Sequence, residues 1–422
     1  MTGPPPAPVA EAPARTGILH RLAGFGGLPL IALITPLLVL PVFARAAGQS
    51  GWASAVTGES LGQLAGMFVS YGWYTVGPAR IALERGPSQR ARYYRESLVV
   101  RLSALLCVIP FLAVACALLA NHGFVLLTFL MALTNAAVPL SFSWFAVGTS
   151  APGSIALFEV LPRVAAAAVS TAIILVSGWL LVYPLLSLAV PLTAMGWYSR
   201  RLLRANPGPW PRPGELPRLL VRDRAAALND AATGAYATVA VPVVNSVSPA
   251  GPASSYASAD KLLRFGQFVP GTLANAFQSW TVEDGPEHVR GRLRIALGAH
   301  LGLGVAGLVV LGVGGPVASS LLFGADVAAT HAVCFLLGLA FILYSVRTGV
   351  SRLVLFPARL PRVVLRSTAA GGLVGLPAVI VLTKVVGPWG ASAALLLSEV
   401  VTFAVLLGPT RRVLRSHAEA AA

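Results

Sequence analysis

Twelve mostly apolar stretches follow one another along this chain, separated by short polar connections. About 20 apolar residues in helical form cross the ~30 Å hydrocarbon core of a bilayer. Within that core only helices and closed barrels satisfy every backbone amide. The expected fold is an all-α integral membrane protein with about 12 transmembrane helices. The first six fall at about 23–44, 53–78, 98–120, 124–148, 155–177 and 180–199. The second six fall at about 225–247, 253–280, 295–317, 329–350, 367–386 and 388–407. Only 11% of the 422 residues are charged. A soluble domain carries about a quarter, so an ordinary cytosolic enzyme is excluded.

The formal charge of +16 would point to nucleic acid in a soluble protein, but here it sorts by topology. With the N-terminus inside, the cytoplasmic segments collect Arg15 and Arg21, the cluster from Arg80 to Arg101, and Arg163. They then take seven arginines from Arg200 to Arg224, Arg290 to Arg294, Arg347 to Arg366, and Arg411 to Arg415. That places 27 of 31 basic residues on one side, as the positive-inside rule requires, with both termini in the cytoplasm. Arg45 and Lys384 fall on the other side, and Lys261 and Arg264 lie within a span. The basic loops do not interleave aromatics in a folded unit, so they suit anionic lipid headgroups rather than nucleic acid.

The longest polar connection, RRLLRANPGPWPRPGELPRLLVRDR, divides the chain in two. The expected organisation is a disordered cytoplasmic N-terminus at 1–22 and a six-helix bundle at 23–199. A basic cytoplasmic linker at 200–224, a second bundle at 225–407 and a tail at 408–422 follow. The Pro/Ala-rich start has no small-residue cleavage site after a short apolar region and does not read as a signal peptide. Prolines 29, 36, 41, 110, 139, 242, 270 and 377 lie within spans. They serve either packing or the flexing of helices around a cavity. Cys107, Cys116 and Cys334 lack metal-ligand spacing and read as buried hydrophobes. No phosphate loop, HExxH or GxSxG is present, so no catalytic residue, metal or cofactor is expected.

One further pattern occupies the first hundred residues: LPLIALITPLLVLPVFARAAGQSGWASAVTGESLGQLAGMFVSYGW, then YTVGPARIALERGPSQRARYYRESLVVRLSALL. With Pro36, Pro41, Arg45, Gly48, Gly51, Tyr71-Gly72, Gly77, Arg80 and Arg101, it resembles the polysaccharide flippases. That family belongs to the multidrug/oligosaccharidyl-lipid/polysaccharide exporter superfamily. Trp144, Phe145 and Gly148 resemble the family's ending of span four, and SYASADKLLRFGQFVPGTLANAFQ its opening of span eight. The resemblance implies two six-helix bundles around a central cavity, working by alternating access. It implies a polyprenyl-pyrophosphate-linked glycan as substrate, membrane lipids as surroundings and other glycan-assembly membrane proteins as partners. The place would be the bacterial cytoplasmic membrane, and no bond would be broken.

An ionisable group at mid-bilayer costs roughly 2.5–3.5 kcal/mol on insertion scales, so it faces a partner or a cavity. Asp260 and Arg264 are four apart and fit an internal pair on one helix face. The functional reading gives Arg45, Lys261 and Arg264 as substrate-binding cavity cations. Phosphate oxygens leaving water need charge-balanced donors. Arg45 also fits an outer gate closed against an acid. Glu59 and Asp230 occupy equivalent spans of the two halves and fit a coupling site for sodium or a proton, or plain hydrogen bonding. Glu159 is expected to pair locally with Arg163, and Glu399 to be solvated within the bundle. The scattered histidines read as structural.

Three further functions stay open beside the flippase. An ion-coupled multidrug or small-molecule exporter of the same superfamily would line its cavity with carboxylates. A membrane glycan polymerase or ligase would need a large outer loop, and the loops here are short. The last is a non-transporting scaffold. With only Lys261 and Lys384 as lysines, the composition points to a GC-rich bacterial genome.

Overall fold

The computed structural model describes residues 18–84, 86–149, 151–281 and 286–419. The expected disordered start falls outside these residues up to 17, and the chain is already helical from Ile18. All regular structure among the described residues is helical. Seven of the helices are long and apolar enough by themselves to cross a membrane. With the other long helices, the all-helical chain is consistent with about twelve crossings in two sets of six.

The first two crossings form one continuous element, α1 (Ile18–Ser70), folded back at Gly48. Gly48 has φ 63° and ψ −173°, a region closed to residues with a Cβ, so the turn needs glycine at that point. The second crossing ends at Ser70 rather than 78, because Tyr71 and Gly72 both adopt positive φ. A left-handed tyrosine is strained; its hydroxyl donates to the Leu220 carbonyl at 3.1 Å and holds it there. Helices α2 (Trp73–Leu83) and α3 (Pro87–Leu119) follow.

The fourth crossing is also broken. Helix α4 (Val125–Ala137) runs into a 3-10 turn containing Pro139, and α5 (Ser143–Gly148) restarts beyond it. A break inside the membrane frees carbonyls that lipid cannot satisfy. Arg101, fully buried, donates to the carbonyls of Pro139 at 2.5 Å and Ser141 at 2.7 Å. Its guanidinium also lies over the Trp144 ring, 5.5 Å from the centroid. Arg101 is therefore a structural plug rather than a surface anchor.

Helices α6 (Pro152–Ile155) and α7 (Leu161–Ser177) join through a π-helical segment, and α8 (Val182–Ala205) closes the first half. Helix α9 (Leu216–Val247) opens the second half, so the chain leaves helix only over 206–215. The expected linker at 200–224 is mostly helix, because Arg and Leu extend helices while the Pro-rich middle cannot. Then come α10 (Ala250–Trp280), α11 (Pro286–Gly312) and the short α12 (Gly315–Phe323). Helix α13 (His331–Gly349) continues as π-helix to Leu355, and α14 (Pro361–Val386) and α15 (Pro388–Glu419) end the chain.

Small residues set the closest helix contacts, as in membranes generally. Gly58, Gly62 and Gly66 form a stripe along the second arm of α1 facing α4. A Cβ at Gly58 or Gly62 would collide with the carbonyl oxygens of Thr128 or Ala132. Replacing Gly62 with Leu should lower stability by about 1–3 kcal/mol through overpacking. Gly196→Leu, where a Cβ meets nothing within 4 Å, should leave it unchanged. Thermal unfolding of both variants in detergent checks this.

The polar seam between the two helical halves

The halves meet chiefly where α1 lies against α9 and α10. Register comes from the end opposite the arginines, where a Cβ on Gly251 would sit 3.2 Å from the Gln49 side-chain oxygen. From there the second arm of α1 and helix α10 run in the same direction. Ten residues on, about 15 Å along each helix, they reach Glu59 and Lys261. That is half the ~30 Å hydrocarbon thickness.

At this depth the Lys261 ammonium donates to a Glu59 carboxylate oxygen. The Gln63 amide donates to the other Glu59 oxygen at 3.1 Å, and its own oxygen accepts from Arg264 at 3.2 Å. Arg264 bonds Asp260 one turn back, as the four-residue spacing predicts. Two carboxylates and two cations thus form one neutral chain across the seam. Lys261 and Asp260 are buried. Immediately beside it, Trp52 donates to Ser258 at 2.9 Å, and the buried Tyr256 hydroxyl has no partner.

Arg45 belongs elsewhere. It is exposed at the arginine-poor end and donates to the carbonyls of Pro41 and Leu321. Its partners are carbonyls rather than an acid, and Leu321 lies in the last turn of α12, where carbonyls lack helical partners. Arg45 therefore caps a second-half helix from the first half and does not join Lys261 and Arg264. Gln49 donates to the Asp326 carbonyl at 2.9 Å and Asn121 to Asn245 at 3.1 Å, which closes the same end. Trp52 packs on Phe323 beneath them, ring centroids 5.0 Å apart.

The arginine-rich end is closed as well. Arg80 of α2 pairs with Asp223 of α9 at 2.6 Å, and Arg222 pairs with Glu96 of α3 at 2.7 Å. Burial alone would lower the Arg222 guanidinium. Its bonds to Glu96 and Asp223 outweigh that, so it is held above the ordinary arginine value. Glu96 and Asp223 carried no signal in the sequence, since each sits among arginines and looks like part of a solvated basic loop.

Glu159 pairs with Arg163 at 2.8 Å as the spacing predicts, and also accepts from Ser141 at 2.6 Å. Glu399 is held by Arg347 through two bonds of 2.8 and 3.0 Å rather than by solvation. The Asp230 side chain lies outside the described residues. Glu59 and Lys261 are thus brought together, with Arg264 beside them.

No family model matches the sequence, and no curated protein matches it. Solved structures do match in fold. The chain is similar to lipid II flippase MurJ in an inward closed conformation, with TM-score 0.66 and 11% identity over 91% of this chain and 87% of that one. It is similar to an inward-facing MATE family multidrug resistance transporter of the MOP superfamily, with TM-score 0.60 and 13% identity over 96% and 100%. A MOP superfamily transporter from Pyrococcus furiosus, described as having a binding pocket of reverse polarity, gives TM-score 0.51 and 12% identity over 95% of both chains. At such identities the likeness is one of fold.

Removing one partner of a buried pair leaves an uncompensated charge, costing about 3–5 kcal/mol. Lys261→Met or Glu59→Gln should each destabilise the protein by about that much, and the double variant should recover most of it. A double-mutant cycle by thermal unfolding reads the coupling, and additive losses would dismiss it.

Proposed function

We propose that this chain is a flippase-like transporter that carries a lipid-linked saccharide across the bacterial cytoplasmic membrane by alternating access, with both termini cytoplasmic. The observation that carries the reading is the placement of Lys261 and Arg264 at mid-depth on the seam, each neutralised by a carboxylate of the protein. A seam that opens parts Lys261 from Glu59 and Arg264 from Gln63, while Asp260 stays with Arg264 on the same helix, so another anion must take the place of Glu59. The pyrophosphate of a polyprenyl-linked glycan supplies it, while its prenyl tail stays in lipid and the sugar enters between the halves. Guanidinium and ammonium groups match phosphate oxygens in charge and hydrogen bonding. The fold shared with a lipid II flippase supports this reading.

When Lys261 turns to substrate, Glu59 loses its cation. A sodium ion or proton taking that place would couple transport to an ion gradient. The same carboxylate supports the second reading, an ion-coupled exporter of small molecules, in keeping with the likeness to a multidrug transporter.

Reconstitution in proteoliposomes with a fluorescent undecaprenyl-pyrophosphoryl saccharide separates the two. Lys261→Ala and Arg264→Ala should each slow flipping by ~10-fold or more, a rise of at least about 1.4 kcal/mol in the rate-limiting barrier. Wild-type flipping in both variants overturns the flippase reading. The exporter reading predicts that Glu59→Gln abolishes ion-driven efflux of a cationic dye while the saccharide carrier is left untouched.

A further inference from the structure

Two groups stand out among the arginines of the basic face. Arg80, Arg163, Arg222 and Arg347 are tied to carboxylates. Those ending α8 and α15 are exposed and make no ion pair among the described residues. These two helices close the first and second halves, and each carries the same pattern in its last turns. Ser199-Arg-Arg-Leu-Leu-Arg204 is repeated as Thr410-Arg-Arg-Val-Leu-Arg415. Arginines four apart share one helix face.

In both places that face borders a cavity. In the first half, a cavity of about 380 Å³ is lined by Trp197, Arg200, Arg201 and Arg204. Arg201 also borders a neighbouring slot of about 430 Å³ whose walls include Leu157, Phe158, Tyr198 and Leu202. In the second half, Arg411 and Arg415 meet Arg290 and Arg294 of α11 around a cavity of about 270 Å³, with Leu297 and Leu414.

We propose that these paired arginine cavities bind the phosphate headgroups of anionic phospholipids, one at the end of each six-helix half. Each lies where a helix leaves the apolar span, at headgroup level, and Trp197 is 68% exposed beside it in the manner of an interfacial anchor. Clustered guanidinium forks match phosphate oxygens, and basic pockets between membrane helices are suited to anionic lipid. The Leu157–Phe158 slot takes the glycerol and the first acyl methylenes. A free phosphate has neither, which favours the lipid. The proposal does not depend on what the protein transports.

Native mass spectrometry of the purified chain in micelles doped with phosphatidylglycerol or phosphatidylcholine of identical acyl chains tests it. The wild type should retain phosphatidylglycerol preferentially. Arg200→Gln with Arg204→Gln, and Arg411→Gln with Arg415→Gln, should each lose one bound lipid and weaken retention roughly 10-fold or more. Arg362→Gln with Arg366→Gln removes the same charge from exposed arginines of the same face and should change nothing. Should a pair fail to fold, Arg204→Gln and Arg415→Gln singly carry the test at roughly fivefold. Equal loss in the Arg362/Arg366 variant would reduce the effect to diffuse surface charge and overturn the proposal. Undiminished retention in the α8 and α15 variants overturns it too. Displacement of the lipid by millimolar inorganic phosphate assigns the cavities to a soluble anion instead.

Discussion

A hydrocarbon core offers no water, so each charge or freed carbonyl placed in it must find its partner within the protein. The arrangement of this molecule follows from that requirement. Lys261 finds Glu59 on the other half, and Arg264 finds Asp260 on its own helix and Gln63 across the seam. Where the fourth crossing breaks at Pro139, Arg101 supplies the donors that the helix has lost. Where α12 ends at the opposite surface, Arg45 does the same. Polar residues here hold together what apolar packing alone leaves interchangeable.

The same requirement makes the seam a candidate moving part. Its mid-depth chain carries two positive and two negative groups, so it is neutral when closed and cannot be parted without exposing charge. Polar contacts at both ends reinforce it, through Arg45 and Asn121 at one and through Arg80 and Arg222 at the other. None of these contacts is apolar, so an anion, a cation or water can replace either side of each. A purely hydrophobic seam of equal area would offer no such exchange.

Charge on the basic face does two jobs that composition cannot separate. Some arginines are pinned by carboxylates and hold helices in place, as Arg347 does with Glu399. Others remain exposed at the duplicated ends of α8 and α15, grouped around cavities. Both kinds contribute equally to the positive-inside signal, since that signal counts residues and ignores their partners.

The residues that could be read in advance are those governed by local rules. Apolar length determined twelve crossings, arginine alternation determined which ends share a face, and four-residue spacing determined the Asp260–Arg264 and Glu159–Arg163 pairs. The stop at Tyr71 and the helical continuation through 200–205 escaped, because both depend on distant or competing contacts. The Glu59–Lys261 pair joins residues 202 apart in sequence, and Arg347–Glu399 residues 52 apart. The sequence by itself determined that Glu59 and Lys261 must not lie bare in lipid. Only the tertiary structure decided that they neutralise each other, because which helices come within bonding reach is set by close packing, such as that of the Gly58–Gly66 stripe of α1 against α4, and not by any local pattern.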